Sequence, residues 1–146
     1  MTRPPNLYAE SSAILAWLLG EDGGDEVRQA LQTAQLVVTS DLTLIECDRV
    51  LQRGQARGVL SLSLVAQTRA ALNSVTEHWA IFSIDHDVVD RARRAFPQEP
   101  IRTAESMHLA TALEARNLVT ELAMLSLDQS IRNNAQALGM DPIPNR

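Results

Sequence analysis

The sequence contains no lysine: all 13 of its basic residues are arginine, against 18 acidic residues. A chain without lysine amines cannot form a Schiff base with a substrate or supply the lysine of a phosphate-binding P-loop, and it cannot complete a phosphoaspartate site of the receiver or haloacid dehalogenase type. The net charge of −5 argues against a surface that coats nucleic acid generally, because such surfaces neutralise phosphates with basic side chains. The net charge does not exclude a local nucleic-acid site.

Cysteine and aromatic residues are also scarce. Cys47 is the one cysteine, which excludes an internal disulfide and a thiolate metal cluster. Its helical spacing from Leu44 and Leu51 predicts a packed thiol and not a catalytic one. Aromatic residues make up only 3% of the sequence, so recognition of RNA would depend on backbone shape and structured RNA more than on base stacking.

Long apolar runs and targeting signals are missing as well. No apolar run approaches the length of a membrane span, and the chain does not begin with the basic start and cleavage site of a signal peptide. We therefore expect a soluble, cytoplasmic protein that does not bind membranes. At 146 residues, 45% of them hydrophobic, we expect a single domain over residues 1–146.

Segments typical of strands and of helices alternate along the chain. Strands are predicted at residues 6–10, 36–39, 80–84 and 122–127. Helices are predicted at residues 12–19, 25–33, 41–55, 61–78, 87–96 and 103–116, and a last helix ends at residue 139. This alternation indicates an α/β fold in which helices cover both faces of a central, mostly parallel sheet, a three-layer α/β/α domain.

Four acidic residues stand beside or inside apolar segments: Glu10, Glu46, Glu105 and Asp128. Glu10 and Asp128 each follow a predicted strand and precede a helix, so we expect them at the carboxyl edge of the sheet, where open α/β sheets bind ligands. Glu46 and Glu105 lie on apolar faces of predicted helices. Clustered carboxylates repel one another unless a cation or a proton lies among them, so the pattern predicts a divalent-metal site.

Three of these acids also have a structural explanation, and Glu10 is harder to explain in that way. Asp128 can be only the N-cap of the helix that follows it, and Glu46 can form an ion pair with Arg49 three residues on. Glu105 lies in a first helical turn, where the helix dipole favours acids. One shared cause for all the acids is the simpler hypothesis.

Two neighbouring positions bear on the same cluster. Glutamate is a poor N-cap, so Ser11 or Ser12 is expected to cap the helix after Glu10. The pair Glu105 and His108 resembles half of a ferritin-like di-metal site, but that fold needs a second such pair and four long helices. His108 is therefore interpreted as a packed histidine or a local hydrogen-bond donor.

The segments around the acids carry a family resemblance. They are LYAESSAIL (7–15), TSDLTLIE (39–46), IRTAESMHLATA (101–112) and LSLD (125–128). In order and spacing they resemble the four acidic motifs of PIN domains, especially those of VapC-like toxins from bacterial toxin–antitoxin pairs, over nearly the whole chain. The resemblance implies a metal-dependent endoribonuclease that is often a homodimer and is inhibited by a small cognate antitoxin. It also implies that Mg²⁺ or Mn²⁺ is held by an acidic quartet: Glu10, Glu46, Glu105 and Asp128.

Residue types suggest supporting roles in that chemistry. The chain offers no credible covalent nucleophile, so water is expected to attack the RNA phosphodiester. Ser11 and Ser126 are expected to hydrogen-bond a carboxylate or a phosphate. Arg49, Arg53 and Arg57 recur along one predicted helix, where they either contact RNA phosphates or form a solvated face.

The sequence departs from the usual PIN pattern at three of these positions. PIN domains usually have Asp where this chain has Glu10 and Glu105, and Thr is commoner than Ser126 before the last acid. An added methylene displaces a carboxylate, whereas Mg²⁺ demands near-ideal octahedral ligation at about 2.0–2.1 Å. Two alternatives follow: a site rebuilt around longer ligands that favours Mn²⁺, or a catalytically silent PIN-like module that binds a partner protein.

Overall fold

A five-stranded parallel sheet forms the middle of the computed structural model, which describes residues 3–146. Its strands are β1 (Asn6–Ala9), β2 (Leu36–Ser40), β3 (Ala80–Phe82), β4 (Leu122–Leu125) and β5 (Pro142–Ile143). They lie in the order β3-β2-β1-β4-β5, and every neighbouring pair is parallel. The predicted parallel sheet is confirmed, with β1 at its centre.

Seven helices within residues 3–146 connect and cover the strands. They are α1 (Ser11–Leu18), α2 (Gly24–Thr33), α3 (Asp41–Ala56), α4 (Leu62–Thr76), α5 (His86–Ala92), α6 (Thr103–Arg116) and α7 (Gln129–Ala137). Side chains alternate across a strand, so Leu7 and Ala9 of β1 enter one apolar core while Tyr8 enters the other. Two cores on opposite faces of one sheet make the three-layer α/β/α fold that was predicted. Within the described residues, no helix combines the length and the hydropathy that crossing a bilayer requires.

The central strand β1 and its neighbour β4 end level with each other. Ala9 at the end of β1 pairs with Leu125 at the end of β4. The residue after β1 is the N-cap of α1, and the third residue after β4 is the N-cap of α7. Two strand-to-helix turns therefore lie side by side at the carboxyl edge of the sheet, and this geometry positions the acids discussed below.

Two elements differ from the sequence-based expectations. Strand β5 was not predicted, because Pro142 and Ile143 are too few to show a strand pattern and they gain their partners only from β4. Helix α2 begins earlier than expected: Gly23, with φ +85°, is its N-cap, and Asp25 lies in its first turn. The left-handed φ of Gly23 is one that glycine adopts without strain.

Gly24 permits the close approach of α1 and α2. A Cβ atom added at this position would lie 2.4 Å from the carbonyl oxygen of Ala16 and 3.0 Å from the Cα atom of Trp17. Both are backbone atoms, so no side-chain rotation can relieve the clash. Glycine is therefore required at this contact between the helices.

We expect Gly24→Ala to lower the free energy of unfolding by about 1–3 kcal/mol or more, because the two helices must separate to admit the methyl group. Urea denaturation followed by circular dichroism measures the change. Gln32→Ala, on the exposed face of α2, is the control and should change stability by no more than about 0.5 kcal/mol. A Gly24→Ala protein as stable as the parent would contradict the close packing.

Candidate metal and nuclease site

Glu10 lies buried at the end of β1, with 4% of its surface exposed. Its carboxylate accepts hydrogen bonds from the Ser12 amide at 3.0 Å, from the hydroxyls of Ser11 and Ser12 at 2.9 and 2.5 Å, and from the Ser126 hydroxyl at 2.6 Å. The expectation that a serine caps α1 was wrong. The Glu10 carboxylate caps the helix by accepting a hydrogen bond from the Ser12 amide, and the hydroxyls of Ser11 and Ser12 donate to that carboxylate. These donors offset the cost of burying the charge.

Glu46, from the second turn of α3, lies beside Glu10. Its Oε1 atom accepts a hydrogen bond from Ser11 Oγ at 2.9 Å and also contacts Nε2 of His108. The Ser11 hydroxyl has one proton, so it donates to one of the two carboxylates at a time. Arg49 was considered as the partner of Glu46, but residues 3–146 contain no ion pair between them and His108 takes that place.

The charge state of Glu46 follows from these partners. Burial raises the pKa of its carboxyl group. The hydrogen bond from His108, the charge of that ring and the hydrogen bond from Ser11 outweigh burial, so the pKa lies below its ordinary value. Glu46 is therefore held as a carboxylate.

His108 is buried in α6, with 1% of its surface exposed, and it hydrogen-bonds as the sequence interpretation anticipated. Its Nδ1 atom lies 2.9 Å from the Tyr8 hydroxyl, which donates to Ser40 Oγ at 2.9 Å. Burial raises the pKa of Tyr8 well above its ordinary value, so the phenol keeps its proton. This chain of contacts orients the imidazole that contacts Glu46. Sequence analysis missed Tyr8 and Ser40, although a tyrosine in a buried strand signals that its hydroxyl needs a partner.

Glu105 and Asp128 face a separate cleft of about 470 Å³, which we call the carboxylate cleft and which is also lined by Arg102 and Gln129. Asp128 is the N-cap of α7 and accepts a hydrogen bond from the Ile131 amide at 3.0 Å. The Glu105 side chain is 12% exposed, with its Oε1 atom 3.9 Å from the Arg102 guanidinium. Its Oε2 atom is buried and has no hydrogen-bond partner within residues 3–146.

Ser126 and α6 connect the two pairs of acids. The Ser126 hydroxyl donates to Glu10 and accepts a hydrogen bond from the Asp128 amide at 3.0 Å. On α6, His108 follows Glu105 by one helical turn and contacts Glu46. The structure thus places all four acids around one region at the carboxyl edge, but as two pairs and not as one compact quartet.

The nearest approach of metal-ligand atoms involves three residues. In the part of the chain that the structure describes, Glu10, Glu46 and His108 form the one group of at least three ligand residues whose atoms all lie within 4.8 Å of one another. Glu105 and Asp128 are not in it. His108 therefore lies among the ligand atoms of Glu10 and Glu46, although the sequence pattern had favoured a packed or hydrogen-bonding histidine.

The oxygens that remain open fit a hard divalent cation. Within residues 3–146, one carboxylate oxygen of Glu46, both of Glu105 and one of Asp128 accept no hydrogen bond. Carboxylate oxygens are the ligands that Mg²⁺ and Mn²⁺ prefer, and a cation would satisfy the buried Oε2 atom of Glu105. Glu10 differs, because its donors occupy the lone pairs of both oxygens whenever the Ser11 hydroxyl donates to Glu10 and not to Glu46.

The remaining predicted residues lie outside this centre. Arg49, Arg53 and Arg57 are exposed on α3 and form no ion pair within residues 3–146. A helix rises about 1.5 Å per residue, so Arg57 lies roughly 16 Å along α3 from Glu46. Cys47 is fully buried, and burial followed by the charges of Glu10 and Glu46 raises its pKa to about 12, so the packed-thiol interpretation is confirmed.

A parallel α/β/α sandwich with acids grouped at the carboxyl edge of its central strands defines the class of this protein. The family model described as PIN domain matches residues 7–136. The ribonuclease VapC46 of Mycobacterium tuberculosis is 31% identical over 136 residues, which cover 92% of this chain and 93% of that protein. The chain belongs to the PIN domain family, as the sequence resemblance predicted.

Solved structures support the same fold. VapC20 of Mycobacterium tuberculosis, a toxin that cleaves the sarcin–ricin loop, superposes with a TM-score of 0.62 at 12% identity and covers 92% of this chain and 95% of its own. A toxin–antitoxin complex from Klebsiella pneumoniae superposes with a TM-score of 0.58 at 17% identity and covers 92% of both chains. At these identities the likeness concerns the fold.

We expect the Glu46 carboxylate to stabilise the fold above about pH 5 and to lose that contribution in acid. Its pKa in the folded protein lies below the unfolded value of about 4.3, so stability is present above the unfolded pKa and falls as the pH drops through the folded pKa. In metal-free buffer, Glu46→Gln should be less stable than the parent at pH 7, and the difference should shrink below pH 5.

Urea denaturation at a series of pH values measures this difference. Glu77→Gln, which removes an exposed acid after α4, is the matched control and should change stability by no more than about 0.5 kcal/mol at each pH. A Glu46→Gln protein that is more stable than the parent at pH 7 would show instead that repulsion from Glu10 outweighs the contact with His108.

Proposed function

We propose that this protein is a metal-dependent endoribonuclease and the toxin of a toxin–antitoxin pair. The observation that carries the proposal is the buried, unpartnered Oε2 atom of Glu105, a residue that lines a cleft with Asp128 beside the Glu10 and Glu46 pair. Leaving a buried acceptor without a partner is costly, and a divalent cation removes that cost. Membership of the PIN domain family and the VapC ribonuclease relative support the same activity.

Water is the proposed nucleophile. The Cys47 thiol is buried and its raised pKa keeps it protonated, while the hydroxyls of Ser11 and Ser126 donate to carboxylates. Mg²⁺ or Mn²⁺ bound by the acids would lower the pKa of a water molecule and offset the charge that develops on the phosphodiester. The residues that would hold that ion are Glu46, Glu105 and Asp128, which must come closer together than they lie in this structure, with Glu10 joining them when a serine hydroxyl turns away.

The protein's own contacts hold the acids in position. His108 orients Glu46, and Ser126 links Glu10 to the backbone amide of Asp128. Because these hydrogen bonds exist before substrate arrives, the carboxylates need little rearrangement during the reaction. Arg102 lies at the edge of the carboxylate cleft, where its guanidinium can bind a phosphate oxygen.

An antitoxin and a second copy of the chain are the proposed protein partners. The Klebsiella structure is a complex of toxin and antitoxin, which supports a partner of that kind. Large apolar side chains of α3, α4 and the turn between them are exposed: Ile45, Val59, Leu62 and Leu64. Exposed apolar groups of this size supply the surface that a protein partner covers.

A catalytically silent PIN-like binding module is the second candidate. The saturated hydrogen bonding of Glu10 favours it, because a carboxylate with four donors can bind a metal only by giving one up. Calorimetric titration with Mn²⁺ separates the two functions. A natural chain that neither binds Mn²⁺ nor cleaves, while Glu10→Asp with Glu105→Asp does both, would be a silent descendant.

Asp128→Asn isolates the proposed metal role from the capping role. Asn caps helices as well as Asp does, so the fold should be retained, with a melting temperature within about 4 °C of the parent. Cleavage of structured RNA in Mn²⁺ should fall by at least about 100-fold, because one negative ligand is lost. Gel assays of RNA cleavage, repeated with EDTA, measure the effect.

Asp85→Asn is the matched control for that experiment. Asp85 is the N-cap of α5 and accepts a hydrogen bond from the Val88 amide at 3.0 Å, but it does not line the carboxylate cleft. Its replacement by Asn makes the same chemical change and should leave cleavage within about twofold of the parent, because it removes no proposed ligand. Equal loss in the two variants would remove the support for Asp128 as a ligand.

We expect expression of the protein to slow bacterial growth and co-expression of a small antitoxin encoded beside it to restore growth. The Asp128→Asn protein should leave growth unaffected and still co-purify with the antitoxin, because its fold is retained. Growth curves and co-purification from cells that express both chains measure these effects. Growth inhibition of equal strength by the Asp128→Asn protein would separate toxicity from RNA cleavage.

A further inference from the structure

A second cleft opens beside the carboxylate cleft. It has a volume of about 320 Å³, and we call it the arginine cleft after Arg93, Arg94 and Arg102, which line it. Ile101 and Arg102 belong to both clefts. The two clefts are therefore neighbours that share a wall, with Asp128 lining one of them and Arg93 and Arg94, at the end of α5, lining the other.

The loop between α5 and α6 is held in place by its own hydrogen bonds. The Glu99 carboxylate accepts from the Phe96 amide at 2.9 Å and from the Ile101 amide at 3.1 Å. The Arg91 guanidinium stacks on the Phe96 ring, 4.0 Å from its centre. These contacts occupy Glu99 and Arg91 in maintaining the loop, which forms a preorganised wall for the arginine cleft.

The loop is also fastened to α7. Asn134 is fully buried, accepts a hydrogen bond from the Gln98 amide at 2.9 Å and donates to the Gln98 carbonyl at 3.1 Å. Helix α7 begins directly after Asp128, which lines the carboxylate cleft. The same helix therefore fixes the position of the loop relative to that cleft.

The arginines of this loop share their surface with Asp90 and Glu99 but form no ion pair with either acid within residues 3–146. Arg93 and Arg94 are exposed, and neither forms an ion pair within residues 3–146. The pKa of Arg91 is lowered by burial and then by the charge of Arg94. The Arg102 side chain is 92% exposed, with Glu105 at 3.9 Å. In a chain with a net charge of −5, this is a concentrated positive surface.

We infer that the arginine cleft binds the phosphodiester backbone of RNA immediately next to the bond that is cut, with Arg93, Arg94 and Arg102 contacting its phosphates. This inference rests on the proposed function, because it takes the carboxylate cleft as the place of cleavage. Guanidinium groups match phosphate geometry and stay charged at every physiological pH. The strand would leave the acids past Arg102 and continue along the loop.

RNA suits the two clefts better than an acidic peptide does. A peptide carboxylate would meet the arginines, but its chain would gain nothing from extending over the open oxygens of Glu105 and Asp128. An RNA strand continues into that cleft, because its next phosphodiester is the group on which the acids and their cation act. The arginines of α3 are placed differently, since Arg53 and Arg57 lead away from Glu46 along the helix.

Salt-dependent RNA binding tests the inference without cleavage. Fluorescence anisotropy in EDTA gives the affinity for a labelled single-stranded RNA between 50 and 200 mM salt. Each phosphate contact contributes about 0.7 to the slope of log affinity against log salt for a single strand. Arg93→Gln with Arg94→Gln should lower the slope by about 1.4, Arg102→Gln should lower it by about 0.7, and the double variant should bind roughly tenfold more weakly.

The matched control removes two arginines elsewhere. Arg28 and Arg69 are half-exposed and pair with Asp25 and Asp48, so Arg28→Gln with Arg69→Gln makes the same change in net charge away from the two clefts. It should leave the slope unchanged. Circular dichroism and melting temperatures establish that all the variants are folded.

Three results would overturn the inference. The first is an unchanged slope in the Arg93 and Arg94 double variant, and the second is an equal or larger effect from Arg53→Gln with Arg57→Gln. The third is loss of antitoxin co-purification with full RNA binding, which would assign the cleft to a protein. If the predicted slopes are found but Mn²⁺ never supports cleavage, the proposed function fails while the RNA-binding surface stands.

Discussion

The hydrogen bonds that the buried Glu10 carboxylate accepts are the interaction on which the rest of the site depends. A buried charge is tolerated only when donors surround it, and here Ser11, Ser12 and Ser126 turn their hydroxyls toward it. Those hydrogen bonds join the end of β1 to the start of α1 and to the turn after β4. Two of these serines have a second role, because Ser11 also lies within hydrogen-bond distance of Glu46 and Ser126 accepts a hydrogen bond from the Asp128 amide.

The four acids are unequal because their surroundings differ. Glu10 is saturated with donors, and Glu46 is held as a carboxylate by His108 and Ser11. Glu105 and Asp128 line a cleft and keep oxygens that accept no hydrogen bond within residues 3–146. The protein alone stabilises the charges of Glu10 and Glu46. The charges of Glu105 and Asp128 still need a positive partner, so the carboxylate cleft is where a cation is expected to bind. Arg102 lines both clefts, where the acidic and basic surfaces meet.

Much of the architecture could be predicted from residue patterns. Strand and helix alternation indicated a parallel sheet, and placing Glu10 and Asp128 after strands put them at one edge. The cap of α1 was predicted wrongly, since intrinsic preferences favour serine over glutamate and only the converging hydroxyls reverse that order. Strand β5 was missed because its pairing comes wholly from β4. The partner of Glu46 was also missed, because His108 lies 62 residues away and Arg49 only three.

The sequence by itself determined the class of fold, the family resemblance, the absence of lysine and disulfide chemistry, and the identity of the acids. These properties depend on local periodicity, composition and motif order, which can be determined from the sequence without a structure. Tertiary structure alone decided which acids are satisfied and which stay open, that Tyr8 and His108 support Glu46, and that the loop arginines border the carboxylate cleft. Hydrogen bonding and burial depend on distances between residues far apart in sequence, and only the packing of β1, β4, α3 and α6 sets those distances.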